Sequence, residues 1–262
     1  MNRALRTAAS GMAAQQMNVE IIANNLANVN TTGFKKSRPE FQDLMYQTLK
    51  VSGVSQNPNI RQPIEIQVGN GTVPVATLKT FAQGDIQTTN NPLDVAIQGD
   101  GFLQVLRPDG SIAYTRDGSL KLSSDGTLVT AEGYVFDPAI SVGSDTTNIT
   151  IGRDGTVEVT TVSDSNPAKV GQVELAKFVN PAGLRAIGNN LYVETPASGP
   201  PIPGTPGVDG FGELSQGSLE SSNVDVVEEM VGMITAQRAY EMNAKTITAV
   251  DEMLSTANAI KR

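Results

Sequence analysis

The chain has 262 residues, and neither cysteine nor histidine is among them. Without cysteine there is no disulfide, no thiolate nucleophile and no zinc–thiolate site. Without histidine the usual general base at neutral pH and the commonest metal ligand are missing. Ser-His-Asp and Cys-His catalysis are therefore excluded, and only carboxylate or lysine chemistry stays open. Tryptophan is also absent and aromatics make up 5%, whereas glycine (25) and proline (14) are plentiful. That balance predicts many turns and a thin β-core rather than a deep apolar pocket. Positive charge is in deficit, with a net charge of −8. The deficit argues against nucleic acid, which recruits a basic face, and against adsorption to an anionic membrane surface. No apolar run approaches the roughly 20 residues that a membrane span requires. Nor does the start read as a signal peptide: Arg3 and Arg6 are followed by Gln15, Gln16, Asn18 and Glu20, which leave no continuous apolar stretch.

Proline is confined to the middle: residues 1–38 and 207–262 have none. In the first stretch apolar residues recur every seven. Leu5, Met12, Val19 and Leu26 form one row, and Ala8, Gln15, Ile22 and Val29 the other, an a/d seam with one polar position. The helix should end near 28–33, where Asn, Thr and Gly accumulate. The last stretch behaves alike. Ser221, Ser222 and Asn223 offer capping groups, and Asp225, Glu228 and Glu229 complement a helix dipole. Val226, Met233, Tyr240, Ile247 and Leu254 then sit seven apart, with Met230, Ala244, Val250 and Ala257 alongside. With one glycine (Gly232) and no proline from 224 to 260, a helix of that length is expected.

The middle reads as β. Short apolar or alternating runs lie at 64–68, 73–78, 95–97, 102–106, 149–151, 157–159, 173–179 and 191–193. Asp-Gly pairs at 109–110, 117–118 and 125–126 recur every eight residues, with another at 154–155; between short strands they signal tight turns. The D-x-D-x-D-G spacing of a calcium loop is missing. Residues 51–63 and 196–212 read as loops, and 39–46 as a short helix with Pro39 in its first turn. Gly99-Asp100-Gly101 lacks the third glycine and the lysine of a phosphate loop and suits a hairpin. Asp94, Asp100, Asp109 and Asp117 could supply carboxylate pairs, but acidic residues at turns are the ordinary expectation.

An a/d stripe is satisfied by another helix rather than by a sheet. Rich in alanine, each terminal helix buries little alone and should be marginal until it associates. An intramolecular pair covering the β-domain is the plainer alternative.

The run 23–35, with Asn24, Asn25, Asn28, Gly33, Phe34 and Lys35, resembles the signature of bacterial flagellar rod and hook proteins. The resemblance continues through 89–102, through Tyr114, Thr115, Arg116, Asp117 and Gly118, and through 216–225 to Gln237, Arg238, Ala239, Tyr240 and Glu241, with Asn223 inside it. It spans essentially the whole chain. Residues 43–49 and the closing 226–254 favour the distal-rod branch; a proximal-rod or short hook-type subunit of the same family is the alternative.

The resemblance implies an α+β fold. Residues 1–36 and 216–262 would form a helical assembly core lining an inner tube, 37–70 a short helix and rod-type loop, and 71–215 a β-rich outer domain. It implies a structural subunit, not an enzyme, with no cofactor and no metal. The subunit would leave the cell through the flagellar type III export apparatus without leader cleavage. Its partners would be copies of itself in an open helical polymer, the proximal rod proteins, the hook protein, and the peptidoglycan-layer and outer-membrane bushing rings. It would sit in the basal-body rod across the periplasm, with no nucleic acid and no membrane span. The expected subunit-interface residues are Leu5, Met12, Val19, Ile22 and Leu26 on the first helix. On the second they are Val226, Met230, Met233, Tyr240, Ile247, Val250 and Leu254. From other classes, a carboxylate hydrolase acting on the cell wall and a ligand-binding β-module with helical dimerisation arms are the competing readings.

Overall fold

A computed structural model describes residues 2–50, 65–143, 145–161 and 166–260. The chain forms two compact units. One holds Met1–Leu26, Ser37–Leu78 and Asp225–Arg262, and the other Ala27–Lys36 and Lys79–Val224. Residues 27–36 and 216–224 therefore fold with the strands rather than with the helices. The expected loop at 51–63 lies outside the described residues.

In the first unit α1 (Asn2–Ala27) and α2 (Val226–Ile260) pack together, as the two seams predict. The pairing is antiparallel. Asn25 bonds Glu229, the Ile22 side chain lies 3.5 Å from where a Gly232 Cβ would stand, and the Asn243 amide lies 2.9 Å from that of Gly11. Small residues make this approach possible: Ala8, Ala14 and Ala236 are buried along the seam. Two small antiparallel sheets complete the unit, Ser37–Asp43 with Thr72–Lys79 and Gln47–Lys50 with Ile66–Val68.

The strand Ser37–Asp43 corrects the expected short helix at 39–46. Eight residues make a marginal helix without packing, and a partner strand wins here. Pro39 cannot donate to a ladder, but a two-stranded sheet leaves each strand one unpaired edge where a missing N–H costs nothing.

The second unit is antiparallel β throughout its described pairs. Its largest sheet runs Arg185–Gly188, Leu191–Val193, Ile112–Thr115, Phe102–Leu106, Val135–Phe136, Leu128–Val129, Lys121–Leu122. Leu175–Lys177 also pairs with Phe102–Leu106 and carries Ile202–Gly204 on its other edge. A three-stranded sheet (Thr146–Ile151, Thr156–Thr161, Ala168–Gln172) and two ribbons (Val95–Gln98 with Glu213–Gln216, Ile86–Thr88 with Ser218–Glu220) complete it. The architecture is α+β, as expected.

Phe102–Leu106 is central, with its first four residues buried, and the core gathers around it: Leu103, Val105, Leu128, Val157, Leu175 and Leu214 among others. Five of the aromatic side chains collect in a second cluster. There Phe81, Phe102, Tyr114, Phe178 and Tyr192 meet edge to face, closest at 4.7 Å between Tyr114 and Phe178. The expected strand at 173–179 is shorter, only Leu175–Lys177, and the expected loop at 196–212 contains the strand Ile202–Gly204.

The Asp-Gly turns hold, with one difference. Gly110, Gly126 and Gly155 have φ of +80°, +75° and +79°. Gly118 is glycine for another reason, since a Cβ there would lie 1.6 Å from the Val95 carbonyl oxygen. Leu175 is fully buried, so Leu175→Ala should cost the strand unit about 2–5 kcal/mol, measured as the shift of its urea midpoint at unchanged slope.

Candidate functional site

The features that bear on function are the helix pair and the segments feeding it. The seam residues divide by exposure. Ile22 and Val250 are buried within the pair. Leu5, Met12, Val19, Leu26, Met233, Ile247 and Leu254 are half-buried. Val226, Met230 and Tyr240 stay exposed. The row facing α1 is Glu229, Ala236, Asn243 and Val250, of which the expected seam included Val250 alone. What remains outside is a second apolar stripe along the first turns of α2, with Val227 70% exposed, Val231 55% and Ile234 55%. Gln16, Val19, Gln237, Tyr240 and Glu241 line an open groove of about 330 Å³ on the same pair. Arg238 is exposed beside it.

Two polar devices organise the helix ends. Asp225 caps α2, its Oδ1 accepting the Val227 and Glu228 amides at 2.8 and 3.1 Å. Asn25 is 2% exposed and satisfied on both sides of its amide. Its Nδ2 donates to the Ser37 carbonyl (2.8 Å) and to Glu229 Oε2 (3.1 Å), and its Oδ1 accepts the Ser37 amide (3.0 Å). Asn25 thus pairs with Ser37 as a strand would, while it ties α1 to α2. Asn24, by contrast, lies on the exposed face of α1.

Within the strand unit, the residues after α1 turn sharply. Thr31 donates through both its amide and its hydroxyl to Asn28. Gly33 has φ +67°, and a Cβ there would lie 2.8 Å from the backbone at Arg116 and Asp117; no other residue fits. Phe34 is buried with the Lys79 ammonium 5.3 Å from its ring centre. Asn223 clips three segments together. Its Oδ1 accepts the Lys36 amide (2.8 Å) and its Nδ2 donates to the Thr80 and Ala82 carbonyls (2.8 and 3.1 Å).

Next to that clip lies a buried ion triad. Lys35 Nζ is 2.5 Å from Glu220 Oε1, and Arg116 Nη1 is 3.4 Å from Glu220 Oε2. The side chains of Lys35 and Glu220 are 0% exposed and that of Arg116 3%. Lys35 also donates to the Ala82 carbonyl, and Glu220 Oε1 accepts the Gly84 amide. Burial pushes the Lys35 ammonium below its ordinary value while the Glu220 carboxylate pulls it back up, and Arg116 experiences the same opposition. The Arg116 guanidinium stacks 5.3 Å from the Phe102 ring centre; among the described residues its Nε is the buried side-chain polar atom without a hydrogen-bond partner.

The carboxylates considered for hydrolysis have structural roles. Asp94 accepts from Thr89 and Asn91, Asp100 pairs with Lys177, and Asp109 and Asp117 accept amides two residues on. Hydrogen bonds from Ser111 hold the Asp109 carboxyl below its ordinary value. Burial holds the Tyr114 and Tyr192 phenols up at about 12. Among the described residues no cluster of three or more acidic side chains could hold a metal ion, and no helix is long and apolar enough to cross a membrane.

Three family models match the chain. "Flagella basal body rod protein" covers residues 5–35, "Flagellar hook protein FlgE/F/G D1 domain" 96–159, and "Flagellar basal body rod FlgEFG protein C-terminal" 215–260. Among relatives, the flagellar basal-body rod protein FlgG of Borreliella burgdorferi is 54% identical over 100% of both chains. That of Caulobacter vibrioides is 48% identical over 99% of both. The chain belongs to the flagellar basal-body rod protein family. The Bacillus subtilis flagellar hook-basal body complex protein FlhP is similar at 33% identity over 100% of both chains, below the 38% of that organism's FlgG. Rod proteins of this family are structural subunits of the flagellar basal body rather than enzymes.

The rod-family signature residues have separate roles. Asn25 serves the helix pair, while Asn28, Gly33, Phe34 and Asn223 serve the strand unit. Sequence reading passed over Glu220, whose isolated carboxylate before a serine pair looks ordinary. It also passed over Arg116 and Lys35 as its partners. The alternation Ser218, Leu219, Glu220, with both polar residues on the buried face, is the one local hint. Asn25→Leu keeps the branched outline of the side chain and removes all three hydrogen bonds. It should destabilise the helix pair by about 1–3 kcal/mol, read as a lower melting temperature at 222 nm. Asp225→Ala should cost about 0.5–2 kcal/mol by the same measurement.

Proposed function

We propose that the chain is the repeating unit of the flagellar distal rod, polymerising through its helical ends into the shaft that carries torque to the hook. The observation behind this reading is the surplus apolar face of α2. The intramolecular seam with α1 uses one stripe of that helix, and Val227, Val231 and Ile234 form another that the same chain leaves outside. A second copy with the same pair of helices is the complementary occupant. Contacts of that kind are heterologous: the patch used on one copy differs from the patch used on the next. Where the rotation between copies does not return to its start, such contacts build an open helical polymer.

In this reading Leu5, Met12, Val19, Leu26, Val226, Met230, Met233, Tyr240, Ile247 and Leu254 meet neighbouring subunits, and Ile22 and Val250 hold the pair that presents them. Within 1–36 and 216–262 the two helices line the inner tube, the strands of 71–215 form its outer layer, and 37–70 connect them. The shaft crosses the periplasm and starts on the proximal rod proteins. It passes the peptidoglycan-layer and outer-membrane bushing rings and ends at the hook protein. The subunits arrive through the type III export apparatus. Alanine-rich helices gain little from a single partner, so their stability rises with each neighbour added.

The test is a charge on the exposed stripe. Val231→Asp should leave the monomer's melting temperature within about 1–2 °C, since surface substitutions shift stability by roughly half a kcal/mol. It should also abolish both sedimenting polymer and motility. Rods of normal length in that mutant contradict the proposed interface, and a closed dimer of the wild-type chain in sedimentation contradicts open polymerisation.

A further inference from the structure

We propose that Lys35, Arg116 and Glu220 form a latch that closes last in folding and opens as a unit, holding together the segment that leaves α1 and the segment that enters α2. The triad draws one residue from each of the three separately matched regions of the chain. Its links span 185 residues (Lys35 to Glu220) and 104 residues (Arg116 to Glu220). Local structure cannot bring such groups together. Each contact must wait until the intervening strands have paired, because loop-closure entropy is lost before a distant contact compensates for it.

Besides the ribbon of Ser218–Glu220 with Ile86–Thr88, the two segments it ties bury few apolar side chains. Residues 31–36 bury one large apolar side chain, Phe34, and residues 218–224 bury Val224. The remaining attachments are polar. The Gly33 amide donates to the Glu220 carbonyl at 2.8 Å, Gly84 donates to the Glu220 carboxylate at 2.9 Å, and Lys36 donates to Asn223 at 2.8 Å. The large sheet behind is held differently, by apolar side chains that are almost wholly buried. Stability is uneven under such conditions, and the polar periphery opens before the apolar core. The opening is cooperative because the charges are shared. Glu220 balances two cations, so moving either segment strands at least one charge away from water. Surface pairs such as Arg38–Glu40 loosen with salt, but this triad is shielded from it.

A complete chain is therefore required before residues 27–36 are fixed. A chain that has not yet delivered residue 220 leaves Lys35 and Arg116 without their anion. The latch thereby couples the arrival of the C-terminal segment to the ordering of the N-terminal one.

The experiment is native-state hydrogen exchange on the full-length wild type, Glu220→Gln and Lys35→Met. Glu220→Gln keeps the shape and removes the charge. It should speed exchange about a hundredfold or more at the amides of Gly33, Lys36, Gly84, Ser221 and Asn223 together. The amides of Leu128 and Val173, deep in the sheet unit, should keep their wild-type rates. Trypsin should then cut after Lys35 and Lys36, which it should spare in the folded wild type. Lys35→Met leaves Arg116 paired with Glu220 and should accelerate the same five amides by less. Equal acceleration at Leu128 and Val173, or none at the five, overturns the latch. Should Glu220→Gln fail to fold, Lys35→Met decides by the same two outcomes.

Discussion

Glu220 sits between two cations in a space that water does not reach, and each of the three charges is tolerable only because the others are there. Taking an isolated ion out of water costs several kcal/mol even after a protein relaxes around it. Glu220 meets Lys35 at 2.5 Å and Arg116 at 3.4 Å. It also accepts a backbone amide, so three of its roughly four acceptor positions are used. Replacing such a triad by apolar groups of like volume is often neutral or stabilising, so raw stability is a poor explanation for it. What it supplies is uniqueness. Only one arrangement of residues 31–36, 114–118 and 218–224 brings the three charges together, whereas apolar side chains would accept many.

The helix pair is built on the opposite principle. Its contacts are small and numerous: alanines and glycines at the closest approach, half-buried leucine, valine and methionine flanking them, and a single buried amide at one end. None of these resists exchange for a similar contact with another helix. A surface of this kind suits a protein that must be satisfied in part by its own chain and in part by its neighbours. Keeping the geometrically demanding charges in the strand unit and the interchangeable apolar contacts in the helical one separates folding from assembly.

Periodicity made the helices legible. A seven-residue recurrence sustained from Leu5 to Leu26 and from Val226 to Leu254 has no other reading, and glycine after aspartate marked the turns. The register of the seam was less visible. Apolarity pointed to the row containing Val226 and Tyr240, but the row facing α1 contains Glu229 and Asn243. A buried partner such as Asn25 makes a polar residue admissible there, and heptad counting cannot foresee that. The strand Ser37–Asp43 was hidden because Pro39 suits a helix start and an unpaired strand edge equally well; its partner, Thr72–Lys79, decides between them. The triad was illegible for a related reason. Lys35, Arg116 and Glu220 are unremarkable as single residues, and their meaning arises only when strands far apart in sequence align.

The antiparallel course of α1 and α2 also bears on how copies meet end to end. Each helix carries partial charges of about half a unit at its ends, positive where it starts and negative where it stops. Arg3 and Arg6 stand in the first turns of α1, the wrong end for basic residues by that rule. They line the same groove as Leu254, however, close to the electronegative end of α2. The acidic residues Glu228 and Glu229 complement the start of α2 in the ordinary sense. The bundle therefore has no lengthwise polarity of its own, and each of its two ends offers one positive and one negative terminus. A column of such bundles can lengthen without accumulating an axial field, so end-to-end addition is left to packing rather than to aligned helix dipoles.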